Sequence, residues 1–90
     1  MKRAWVDIIA DILSNAEGGK NITDIMYNTR LSYAHMKTYL KLLLENGLLA
    51  QEPAGKKAYR TTAQGSEYLE LYKKIRGLAF PEERLVHRPK

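Results

Sequence analysis

Ile22-Thr-Asp-Ile-Met-Tyr-Asn-Thr-Arg-Leu-Ser-Tyr-Ala-His-Met-Lys-Thr-Tyr-Leu-Lys-Leu-Leu-Leu-Glu-Asn-Gly47 is the stretch that decides the fold. It reads as two short helices joined by a few polar residues. Thr23 is placed to cap the first of them, and Asp24 suits the positive end of its dipole. Ile25 and Met26 supply apolar contacts before Asn28-Thr29-Arg30 interrupts the pattern. Ser32 then caps a longer helix from about Tyr33 to Asn46, with Met36, Leu40 and Leu43 on one stripe and Tyr39 at its edge. Asn46-Gly47 gives the usual left-handed stop. Two helices so joined are a helix-turn-helix candidate, though many helical hairpins look alike.

The flanks narrow the choice. Upstream, Trp5, Ile8, Ile9, Ile12, Leu13 and Ala16 recur at helical spacing, and Gly18-Gly19 ends that helix. Lys20-Asn21-Ile22 is a short extended connector, too brief to read as a strand by itself. Downstream, Leu48–Glu52 and Ala58–Thr61 read as two strands around a Pro53–Lys57 turn, a hairpin with a longer loop. Thr61 or Thr62 can cap a last helix, Thr61 having capping-box spacing to Gln64. That helix runs to about Leu78, and Pro81 closes it. The order is helix, connector, helix, helix, hairpin, helix. The expected fold is mainly α, in the α+β sense: a winged helix-turn-helix with a three-helix core, a two-stranded β wing and a C-terminal helix. Residues 1–79 form the expected domain, and 80–90 a charged, disordered tail.

Composition sets the outer limits. Ninety residues make one domain with a small core. The chain has no cysteine, which removes disulfides, thiolate metal sites and thiol nucleophiles. Its longest apolar run, Leu42-Leu43-Leu44, is far short of a membrane span, and its first residues do not read as a signal peptide. A cytoplasmic location is therefore expected. Net charge is +5: residues 1–19 carry −1, and 20–47, 48–61 and 62–90 carry +2 each. Such a balance favours nucleic acid or an anionic surface.

Ile25-Met26-Tyr27 followed by Leu31-Ser32-Tyr33-Ala34 resembles the small basic winged-helix DNA-binding proteins of archaea, including their ten-kilodalton chromatin-associated type. Tyr59 and Thr62…Gly65 match that family's Tyr-x-x-Thr-x-x-Gly at the exit from the wing. The resemblance spans about residues 5–72 and implies binding of double-stranded DNA, as a transcription regulator or chromatin protein. Two positions depart from the pattern. Thr61 replaces a usual apolar residue, so the second wing strand is expected to pack less deeply. Gly77 and Pro81 cut short the long C-terminal helix that pairs as an antiparallel coiled coil in the chromatin type.

On a helical wheel the face of the third helix opposite Met36, Leu40 and Leu43 offers Lys37, Thr38 and Lys41. These are the candidate groove contacts: lysines for phosphate or a guanine edge, a hydroxyl and methyl for bases. Ser32 and Tyr33 stand at the helix start, where free amides also attract phosphate. A cap at Ser32 and a ring folded over the second helix at Tyr33 are their structural readings. Arg30 in the turn, Lys56 and Lys57 at the wing tip and Arg60 on the returning strand complete the basic set.

The same residues also fit an ordinary solvated face, and the competing function is a winged helix serving as a protein-interaction module without DNA contact. Structured RNA is a third option, but the sequence lacks the exposed aromatic platform that single strands usually need. Neither a phosphate-cradling glycine motif nor a serine with a base beside it is present, so no enzyme, small-molecule substrate or cofactor is expected. His35 and His87 are too far apart for a zinc set, and no metal is expected. Finally Tyr68, Leu71, Tyr72, Ile75 and Leu78 form a stripe beyond what Leu69 needs to dock the last helix. A homodimer through that stripe is expected, drawing also on Trp5 and Leu42 or Leu44.

Overall fold

The computed structural model describes residues 4–52 and 58–81. Its elements are α1 (Trp5–Asn15), β1 (Lys20–Asn21), α2 (Ile22–Thr29), α3 (Tyr33–Glu45), β2 (Leu49–Gln51), β3 (Ala58–Thr61) and α4 (Ala63–Ala79). This is a winged helix-turn-helix, mainly helical, as the periodicity indicated. The expected hairpin turn Pro53–Lys57 and the tail from residue 82 lie outside the described residues.

The core forms where three amphipathic stripes meet the sheet. Ile12, Leu13, Ile25, Met36 and Leu43 are completely enclosed, and Ile9, Ala16, Leu40, Leu49, Tyr59 and Leu69 close around them. Each large apolar side chain so buried stabilises the fold by about 1.5–3 kcal/mol. On α1 the stripe is shifted from the sequence reading. Ala10 is buried, whereas Trp5 is 61% exposed, because the helix's first turn projects past the core.

The connector after α1 is a true strand. Gly19, at φ +87°, turns the chain so that Lys20 and Asn21 pair antiparallel with Tyr59 and Ala58. The sheet thus has three strands in the order β1-β3-β2 rather than the two expected. Asn21, not Thr23, caps α2: its side chain accepts the Asp24 amide at 2.8 Å. A two-residue pairing of this kind depends on β3, whose partners lie 37 and 39 residues away, and so has no local signal.

Thr61 also departs from expectation. It is buried at 9% exposure, its hydroxyl donating to the Leu13 carbonyl at 2.6 Å and its amide to the Ala16 carbonyl at 3.1 Å. These bonds add a second donor to carbonyls at the end of α1, where Leu13 also accepts from Ala16 at 3.3 Å and Ala16 from Gly19 at 3.0 Å. A hydroxyl thus replaces an apolar group without loosening the strand. Thr62 caps α4 by accepting the Gly65 amide at 3.0 Å, and it donates to the Gly47 carbonyl at 2.6 Å. Gln64, expected in a capping box, reaches instead to the Asn46 carbonyl at 3.3 Å.

Candidate nucleic-acid interface

The α2–α3 turn is built around Arg30. Its φ is +60°, a left-handed conformation rare outside glycine and asparagine. That geometry lets the Arg30 amide cap α2 on the Met26 carbonyl, while Leu31 donates to the same oxygen at 3.3 Å. The Thr29 hydroxyl, buried, donates to the Ile25 carbonyl at 2.7 Å, which makes the end of α2 rigid. Chain direction then reverses into Ser32, whose side chain accepts the His35 amide at 3.2 Å as the α3 cap. The Arg30 side chain stands in solvent beside this corner.

The same position offers a direct test of conformation against contact. Arg30→Gly relieves about 1–2 kcal/mol of left-handed strain, offset by about 0.5–1 kcal/mol for the extra unfolded-state freedom of glycine. Thermal stability is therefore expected to hold or rise slightly. A duplex titration should nevertheless lose affinity, with a salt slope shallower by about one if Arg30 meets a phosphate. An unchanged slope would remove Arg30 from the interface.

Met36, Leu40 and Leu43 face the core, and Ser32, Tyr33, Lys37, Thr38 and Lys41 are all exposed on the outer side of α3. Tyr33 is not folded away over α2: it is 56% exposed, and the Lys37 ammonium lies 5.6 Å from its ring centre. That cation–π contact draws Lys37 toward the helix start. The Thr38 hydroxyl donates to the Ala34 carbonyl at 3.2 Å. Its proton is thereby used within the helix, leaving a lone pair and a methyl group to face outward.

On the sheet, Arg60 is held by Glu52, with Nε 3.0 Å from one carboxylate oxygen and Nη2 3.4 Å from the other. The guanidinium also lies over Gly19, where a Cβ would come within 3.0 Å of Nη2. Arg60 must exchange this partner to meet a phosphate, which ranks it below Lys37 and Lys41. Glu52 had no signal in sequence, since pairing across β2 and β3 fixes its position. Lys56 and Lys57 lie outside the described residues.

The C-terminal stripe divides in two. Tyr68 donates to the Val6 carbonyl at 2.9 Å and Tyr72 to the Asp7 carboxylate, so both rings dock α4 on α1 of their own chain. Burial raises both phenol pKa values, reinforced at Tyr72 by the hydrogen bond to Asp7 and at Tyr68 by the neighbouring Tyr72. Arg76 lies 3.6 Å from Asp7 and 5.1 Å from the Phe80 ring centre. Leu71, Ile75 and Leu78 remain outside at 53%, 64% and 80% exposure.

Fold and helix geometry together define a winged helix-turn-helix protein, and the chain belongs to that family, whose model matches residues 2–80. Among solved structures, the chain is similar to Sso10a-2, a DNA-binding protein from Sulfolobus solfataricus, at 27% identity and a TM-score of 0.74. The match covers 98% of this chain and 100% of that one. No curated protein matches. The archaeal winged-helix resemblance read from residues 25–34 and 59–65 is thereby supported.

Proposed function

We propose that this chain binds double-stranded DNA, with the N-terminal half of α3 in the major groove and the α2–α3 turn and wing on the flanking phosphates. The carrying observation is the outer face of α3, where Lys37, Thr38 and Lys41 are all exposed opposite a fully buried stripe. The similarity to a DNA-binding protein over nearly the whole chain supports the same reading. Lys37 and Lys41 supply charge, Thr38 a methyl and an acceptor, and Ser32 and Tyr33 stand where the amides of the helix start attract phosphate. Arg30, Lys56, Lys57 and Arg60 anchor the backbone on either side. Residues 1–79 act as the binding domain and 80–90 as a charged appendage. The role is that of a transcription regulator or chromatin-associated protein on the nucleoid, and binding rather than catalysis is the activity.

Amide shift mapping tests the placement. On addition of a duplex, residues 30–41 and the wing should move while the outer face of α4 stays still. Perturbation confined to α4, or none, would favour the protein-interaction module.

A two-fold pair through α4 completes the proposal. Leu71, Ile75 and Leu78 together with Trp5 leave more apolar surface in water than a small monomer usually tolerates. Tyr68 and Tyr72 form the floor of this surface rather than its crest. They border a groove of about 470 Å³ that also includes Val6, Leu71 and Ile75. Light scattering at micromolar concentration should give about twice the 10.3 kDa of one chain. Ile75→Glu should return the single-chain mass, and a wild-type mass near one chain would defeat the dimer.

A further inference from the structure

Beside the α2–α3 turn lies a hollow of about 490 Å³ lined by Met26, Tyr27, Asn28 and Arg30. The hollow is broadly open to solvent, a surface for a planar group rather than an enclosed cleft. Tyr27 is 83% exposed, an unusual position for a large ring, and none of the described ring contacts engages it. Asn28 and Arg30 are also exposed, and among the described residues neither side chain has a hydrogen-bond or ion-pair partner. The hollow therefore presents a flat ring, an amide with paired donor and acceptor, and a cation held by a left-handed backbone.

These three groups match the three parts of a nucleotide. A ring that is both flat and open stacks a base. An asparagine amide pairs with the N6 and N7 edge of adenine, and a guanidinium forks onto phosphate. Paired bases inside a duplex cannot stack on Tyr27, because both of their faces are covered. An unpaired base can. Tyr27 and Tyr33, both largely exposed, supply the open aromatic faces that a single strand needs.

We propose that this hollow binds one unpaired purine nucleotide, adenine above all, through stacking on Tyr27, edge pairing with Asn28 and phosphate contact with Arg30. In a DNA strand, this would make the protein prefer a duplex carrying an extruded base. The strand-bound form rests on the duplex-binding reading above; a free mononucleotide offers the same chemistry without it.

The test compares a paired duplex with the same duplex bearing one unpaired adenine, places 2-aminopurine, which lacks the 6-amino group, at that position only as a fluorescent reporter of stacking, and runs adenosine monophosphate separately. Wild type should bind the bulged duplex at least about 5-fold more tightly, within the roughly 5- to 150-fold range of base–aromatic stacking, and should quench the reporter's emission. Tyr27→Ala should lose the preference and the quenching while binding paired duplex as before; Tyr27→Phe should keep both. Asn28→Ala should level the preference for adenine over thymine at the bulge. Binding of adenosine monophosphate that Tyr27→Ala abolishes would assign the site to free nucleotide as well. Equal affinity for both duplexes with no mononucleotide binding would overturn the inference, as would a bulge preference that survives Tyr27→Ala. Loss of paired-duplex binding alone would instead overturn the proposed function and leave the nucleotide site standing.

Discussion

Gly65→Ala should lose about 3 kcal/mol of stability, an effect at the upper end for overpacking a closed site. A Cβ on Gly65 would sit 2.3 Å from the Leu48 carbonyl oxygen and 2.6 Å from the Thr61 Cγ2. Neither neighbour can withdraw. The Leu48 carbonyl accepts the Thr62 amide at 3.1 Å, and Thr61 is fixed by its two bonds to the end of α1. The better helix propensity of alanine recovers about 1 kcal/mol at most. In a domain of this size the net loss of about 2–3 kcal/mol lowers the melting temperature by roughly 8–24 °C. Thermal unfolding followed by circular dichroism reads it directly. A shift within a few degrees would mean that α4 does not approach the α3–β2 corner this closely.

The second large effect separates reading from anchoring at the proposed interface. Lys37→Ala and Thr38→Ala should reduce discrimination among sequences by about 1–3 kcal/mol for each lost base contact. Lys56→Ala combined with Lys57→Ala should weaken all duplexes alike and make the salt slope shallower by about two. Competition between a selected duplex and random DNA, at fixed salt, measures both. If the wing variant alone removes sequence preference, the two roles are reversed. A wild type with no preference at all would be an architectural protein rather than a specific regulator.

Much of the fold was legible because its signals are local. The stripe Met36, Leu40 and Leu43, the Ser32 cap and the left-handed Gly47 each follow from side-chain chemistry within one or two turns. What escaped was set by partners distant in sequence. Lys20 and Asn21 become a strand only because Tyr59 and Ala58 are in register with them. Thr61 is buried with its hydroxyl on the Leu13 carbonyl, 48 residues earlier in the chain. Trp5 fits the α1 periodicity, yet it lies one turn before the point where the core begins.

The candidate site was legible to a similar degree. The wheel separated the buried and outer faces of α3 correctly, since helical geometry alone decides them. It could not show that Lys37 lies over Tyr33, that the Thr38 hydroxyl turns back to Ala34, or that Glu52 holds Arg60. Tyr27 is not legible as a site residue, because a ring on a short helix usually faces inward. Burial of Ile25 and Thr29 on the opposite face of α2 is what leaves it outside.

Titration of a fluorescent duplex from low to moderate salt tests the central claim most directly. Roughly five to eight phosphate contacts across α3, the turn and the wing give log affinity against log salt a slope of about −5 to −7. Saturable binding with that slope is the expected result, and no detectable duplex binding at low salt would contradict it.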